Sequence, residues 1–381
     1  MKTTTDEITE QTPAEVFPPG EFIRDELEER GWIQADLAKI MGRPLPAVNE
    51  IISGKRSITP ETAIALGSAF GTSAELWLNL ETAFQLSKAN VEDQAAIKER
   101  AKLFESAPVK DLERRGWIKA TRDIVALQHE LAHFFQVPEA EKLRAAAKSS
   151  IQSDQLPPEQ FAWCVRALRL ARSVPAKKFT RHSLESGVSK LRALANFPEN
   201  VRHVPKCLSE MGIRLVVIEH LPKSKIDGAA LWLGDDWSKP VVALSLRYDR
   251  IDSLWHTLFH ELSHIKHKDS YRVDVDLVGA DRCLSSDVVS EIEKRANEEA
   301  ADMLIPKDKL QSFIQRTRPF YYTERINQFA NLLKIHPGII AGQLQFKNEI
   351  KWAANRAMLV KVRHTLISSA LTDGWGVRIA R

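Results

Sequence analysis

Residues 254–269 read LWHTLFHELSHIKHKD, and within them His260 and His264 stand four apart with Glu261 beside the first. On a helix of 3.6 residues per turn both imidazoles project from one side and can share a tetrahedral zinc. Zinc lowers the pKa of a bound water, and a neighbouring carboxylate base then suits peptide-bond hydrolysis near neutral pH. The pattern alone does not decide, because it recurs at His129-Glu130-Leu131-Ala132-His133. The two copies differ in setting. Around the first, Ile124, Leu127, Leu131, Phe134 and Phe135 make one apolar stripe that leaves His129 and His133 on a wetter side. Around the second, Leu254, Leu258, Phe259, Leu262 and Ile265 nearly surround the helix. Buried polar groups need partners, so the second copy is expected to be the metal site and the first a pair of surface histidines.

A third ligand has to come from another segment. Glu293 is the candidate: it opens EKRANEEAADMLIP, whose Ala296, Ala300, Met303 and Leu304 fit a core-facing helical stripe that Pro306 stops. Asn297, one turn on, is expected to hold a ligand histidine in the right tautomer. For the first copy the comparable acid is Glu159, with nothing equivalent around it. His256 and His267 read as bystanders, and His336, before Pro337 and Gly338, as a turn residue. The elements that must position these residues include short strands over 213–218, 228–233 and 240–246. A small sheet beside the zinc helix suits a peptidase, because an extended peptide can pair with an edge strand.

The ordered series IDGAALWL, KPVVALSLR, HELSHIKH, EKRANEEAADMLIP and HPGIIAGQLQ resembles the ImmA/IrrE metallo-endopeptidases over roughly residues 190–350. Those are bacterial proteins that cleave partner transcriptional repressors. The resemblance implies His260, His264 and Glu293 as ligands of one Zn2+, with Mn2+ as the other metal to consider, and Glu261 as the general base. Where the family has an aromatic after the Ala-Asn pair, this chain has Glu299. That departure leaves the ligands intact and bears on the packing of the second helix.

Towards the front, GWIQADLAKIMGRPLPAVNEIISGKRSITPETAIALGSAFGTS reads as several short helices. Leu37, Ala38 and Ile40, then Val48, Ile51 and Ile52, place apolar residues on the inner faces of two consecutive helices with Gly42 at the bend, which is helix-turn-helix geometry. The segment resembles the XRE-type DNA-binding module, and the HigA-like antitoxins within it, over roughly residues 13–82. The resemblance implies that the second helix enters the major groove and presents Pro46, Ala47, Asn49 and Glu50. Asn49 can pair with adenine, and Glu50 disfavours phosphate. Basic groups flank the helix: Arg43 before it, Lys55 and Arg56 after, with Gln34 at the start of the preceding helix placed for a phosphate. DNA contact is favoured over a module used only to pair with a protein, and such modules commonly work as homodimers on two half-sites.

With 381 residues the chain has room for two or three domains. A net charge of +4 permits nucleic-acid binding without demanding it. Cys164, Cys207 and Cys283 lack metal-type spacing and suit free thiols in a reducing compartment. With no membrane-length apolar run and no signal-peptide core, a soluble cytoplasmic protein is expected. The fold class expected is mainly α with a small α+β zincin-like domain. Its parts are a disordered tail (1–12), an all-α helix-turn-helix domain (13–85) and a helical connecting region spacing the two ends (86–185). A metallopeptidase domain with a small sheet (186–350) and a C-terminal helical extension (351–381) follow. The expected function is a DNA-binding transcriptional regulator with a zinc endopeptidase that cleaves a repressor or antitoxin in a toxin-antitoxin or mobile-element circuit. The alternative is a repressor or antitoxin without turnover, whose metal site is structural or sensory and whose partner is a toxin.

Overall fold

The computed structural model describes residues 16–88, 91–137, 156–269, 272–275 and 291–375. The tail expected over 1–12 and Cys283 lie outside them. The chain divides into two units, residues 1–97 and 98–381.

The first unit is helical: α1 (Pro19–Arg30), α2 (Gln34–Ile40), α3 (Leu45–Ile52), α4 (Pro60–Phe70) and α5 (Ala74–Lys88). Its boundaries follow local chemistry. Pro19 opens α1, Gly31 closes it with φ 64°, and the Thr59 hydroxyl accepts the Thr62 N–H at the start of α4. Gly42, at φ 62°, makes the bend between α2 and α3. A Cβ on Gly20 would stand 2.0 Å from the Ile52 carbonyl oxygen, so glycine is what lets α1 approach α3. Leu37, Ala38, Val48, Ile51 and Ile52 are buried as expected. Ile40 is not: it is 49% exposed, because Leu37, Ala38 and the half-buried Met41 already form the inward row and Ile40 falls outside that arc.

In the second unit the strands β1 (Arg214–Ile218), β2 (Ile226–Trp232), β3 (Pro240–Leu244), β4 (Arg272–Val275) and β5 (Leu371–Asp373) form one sheet in the order β4-β2-β3-β1-β5 among the described residues. β1 lies parallel to β3 and to β5, and β2 runs antiparallel to β3 and β4. Alternate residues point to opposite faces, and both faces are covered. Leu215, Val217, Ala230, Trp232, Val242 and Leu244 join one core, while Val216, Ile218, Ala229, Leu231, Val241 and Ala243 join another. This two-sided burial makes the strands read as unbroken apolar runs rather than alternating ones.

The second face corrects the idea that residues 86–185 space two ends. The helices α6 (Val91–Ser106, from Leu103 on), α7 (Val109–Arg114), α8 (Ile124–Phe135) and α9 (Pro158–Ala171) bury Leu112, Phe134, Trp163 and Ala167 in the same core as β1–β3. An apolar sheet face would otherwise stand in water, at about 25 cal/mol per Å² exposed. The described part of the expected C-terminal extension, residues 351–375, is likewise not simply helical. After a 3-10 turn at Arg356–Met358 and the short α17 (Arg363–Ile367), the chain supplies β5, whose Asp373 is tied to Arg166 and to the Trp117 indole. Cys164, on α9, is fully buried, and burial pushes its thiol well above the ordinary value. It is expected to resist alkylation at neutral pH in the folded protein and to react once denatured, as mass spectrometry would read.

The first face carries α10 (Arg181–Ala193), α11 (Val204–Met211), α12 (Ile251–His267), α13 (Glu291–Leu304), α14 (Lys307–Thr317), α15 (Thr323–Leu333) and α16 (Pro337–Phe346). α12 is the central one, buried along its length except at His256, Lys266 and His267. No helix among the described residues is long and apolar enough to cross a membrane.

Candidate metal centre

α12 is apolar on nearly every side, so folding drives it between the sheet and α13 and carries His260, Glu261 and His264 in with it at 0% exposure. Fully buried Trp255, Leu258, Phe259 and Leu262 hold it there, each worth about 1.5–3 kcal/mol on burial. Glu293, near the start of α13, completes the group. His260 Nε2 lies 3.0 Å from His264 Nε2 and 3.2 Å from Glu293 Oε2, and His264 Nε2 lies 3.7 Å from the same oxygen. Ligand atoms on a tetrahedral zinc, with bonds of about 2.0–2.2 Å, stand about 3.3–3.6 Å apart. The triangle therefore fits a zinc-sized ion with small adjustment, and two imidazoles with one carboxylate are a zinc-type donor set. Burial acts to raise the Glu293 carboxyl, but the two histidines outweigh it and hold the group well below the usual carboxylate range.

Sequence reasoning missed the residue that orients His264. His264 Nδ1 is 2.8 Å from Asp269 Oδ2. A carboxylate can only accept there, so Nδ1 carries the proton and Nε2 turns its lone pair to the metal position. Asp269 reaches back because Lys268 takes a left-handed turn at φ 56°, and the Asp269 N–H bonds the His264 carbonyl. Arg295, on α13, holds the same carboxylate at 2.5 Å. Asn297, expected in this role, instead meets His256 Nε2 at 3.2 Å, because α12 turns His256 towards α13 one turn before His260. Replacing Asp269 by asparagine is expected to weaken metal affinity about 10–100-fold in a competitive chelator titration.

Glu261 lies against β2. A Cβ on Gly228 would meet Glu261 Oε1 at 2.3 Å and Thr257 Cγ2 at 2.8 Å, so the glycine makes the space the carboxylate occupies. Glu299, the departure in the second helix, accepts from Ser263 Oγ at 2.9 Å, Lys266 Nζ at 3.2 Å and His267 Nε2 at 2.8 Å. The tie between α12 and α13 at that point is thus polar. His336 Nδ1 accepts the Gly338 N–H at the start of α16, a capping role.

The first copy of the histidine pattern is not assembled. His129 and His133 are exposed on α8, Glu130 accepts the Lys119 N–H, and Glu159 is absent from the one three-ligand cluster found among the described residues.

In the first unit, Gln34 is the first residue of α2, Arg43 lies half-buried in the bend, and Asn49, Lys55 and Arg56 are exposed on and just after α3. Arg56 stands 3.9 Å from Glu50. The α2-bend-α3 pair, packed through α1, α4 and α5, is that of a helix-turn-helix module. The helix-turn-helix family model HTH_3 matches residues 23–77, and through this segment the chain belongs to that family. Virulence-associated protein I of Dichelobacter nodosus is 38% identical over 78 residues, 20% of this chain and 72% of the relative. The uncharacterized HTH-type transcriptional regulator YddM of Escherichia coli (strain K12) is 34% identical over 71 residues, 19% of this chain and 76% of the relative. A solved structure described as Pseudomonas aeruginosa antitoxin HigA with higBA promoter is 37% identical, covering 22% of this chain and 91% of that one, with a TM-score of 0.21.

Proposed function

We propose that the protein is a DNA-binding regulator that also carries a metal-dependent endopeptidase, whose substrate is a repressor or antitoxin protein. The observation that carries the peptidase reading is the buried triangle of His260, His264 and Glu293 with Glu261 beside it. A zinc held by these three side chains alone would keep a fourth tetrahedral position for water or substrate, whereas structural zinc closes that position with protein. A buried glutamate next to the ligands has no role in a purely structural site. Family membership and the exposed Lys55 and Arg56 support operator binding.

His260, His264 and Glu293 would hold Zn2+, or Mn2+ in its place. When bound, the metal supplies Lewis acidity, polarising a peptide carbonyl and making a water easier to deprotonate. Glu261 takes a proton from the attacking water on its carboxylate and returns it to the leaving amine. Asp269, itself held by Arg295, fixes His264 in one tautomer. Burial of the group excludes bulk water from the charges that develop.

The test compares protein N-termini in cells producing the wild type or Glu261→Gln. New termini within a repressor-like or antitoxin-like protein, present with the wild type and missing with Glu261→Gln, are expected. Identical termini in both strains would contradict the peptidase reading and favour a regulator whose metal site is structural.

A further inference from the structure

We propose that the outward face of α3 reads thymine methyl groups and adenine edges, so that the operator half-site beneath it is rich in A·T pairs. This rests on the DNA-binding reading above and goes on to assign its specificity. α3 buries Val48, Ile51 and Ile52, which leaves Leu45, Pro46, Asn49, Glu50 and Ser53 along the exposed side. Guanine is read chiefly by arginine or lysine bonding O6 and N7 together. The exposed row contains neither, and the nearby Lys55 and Arg56 lie beyond the helix. Glu50, the one charged group in the row, has Arg56 3.9 Å away as a partner from beyond the helix.

What the row does offer is apolar surface at the end that meets base edges first. Leu45, the first helical residue, is 40% exposed, and Pro46 beside it is exposed too. A lone exposed leucine is ordinary on a protein surface; this one opens the helix that a helix-turn-helix lays in the groove. The thymine C5-methyl is the apolar group presented by base pairs in the major groove. Pro44 and Pro46 also lack N–H groups, so this helix start is a poor phosphate anchor and a good apolar contact. One turn on, Asn49 can bond adenine N6 and N7 together, and Ser53 tolerates any base. Arg43, Lys55 and Arg56 bracket the row and are left to the phosphates.

The experiment uses the full chain and a randomised DNA duplex library. Rounds of selection are expected to yield half-sites with consecutive A·T pairs. The selected duplex is then remade with deoxyuridine in place of thymidine in the half-sites, which removes the methyl alone. Wild type is expected to bind the uridine duplex about fourfold more weakly for each contacted methyl lost. Leu45→Ala, which changes an exposed side chain, should distinguish the two duplexes less than wild type does, and circular dichroism checks that it folds. Equal wild-type affinity for the two duplexes, or selection of G·C half-sites, would overturn the inference while leaving operator binding intact. A library from which no sequence is enriched would overturn the DNA-binding reading and this inference with it.

Discussion

Glu261→Gln is expected to keep its metal and its fold and to cleave its protein substrate about 10²–10⁴-fold more slowly, the range that a positioned proton acceptor contributes. Glutamine has nearly the shape of glutamate, so the space beside Gly228 stays filled and His260 and His264 keep their places on α12. The amide cannot accept the proton that the carboxylate takes, so the loss should fall on kcat more than on KM. Single-turnover cleavage of a purified substrate, with metal content measured on the same preparation, reads both. A variant that cleaves as fast as wild type would remove Glu261 from the chemistry.

Gly228→Ala is expected to approach the same loss of rate by another route. The added Cβ would stand 2.3 Å from Glu261 Oε1 and 2.8 Å from Thr257 Cγ2, far inside van der Waals contact. Glu261 is wholly buried, so its carboxylate can only be pushed out of position or force α12 away from β2. Overpacking of this kind costs about 1–3 kcal/mol, readable as a lower denaturation midpoint. Small displacements of a catalytic group cost about 10²-fold in rate. An alanine variant with full activity would mean that the Glu261 position is not critical.

The sequence made some parts of this structure plain and hid others for physical reasons. The strands β1, β2 and β3 were legible because two-sided burial leaves long apolar runs, and the buried helix α12 because apolar residues surround two histidines and a glutamate. The grouping of Glu293 with them was legible because a buried histidine pair calls for a polar partner on a helix that faces it. The cover provided by α7, α8 and α9 was not legible: an amphipathic stripe says that a helix packs, not which surface it packs on. β5 has three residues, too few for any periodicity to register. Asp269 depends on a left-handed turn at Lys268 that lysine does not announce. Gly228 owes its role to a close approach of helix and strand, which belongs to the tertiary structure and not to either segment. Asn297 was misplaced because spacing along α13 cannot tell which of four histidines on α12 it meets.

Elemental analysis of the purified full chain, with His264→Ala and His133→Ala prepared identically, is the most direct trial of the metal centre. About one zinc or manganese ion per chain is expected in the wild type and in His133→Ala, and none in His264→Ala, since a three-ligand site that loses one imidazole no longer holds its ion. Wild-type protein that binds no metal even after zinc is supplied, or metal that survives His264→Ala and leaves with His133→Ala, would contradict the site built from His260, His264 and Glu293.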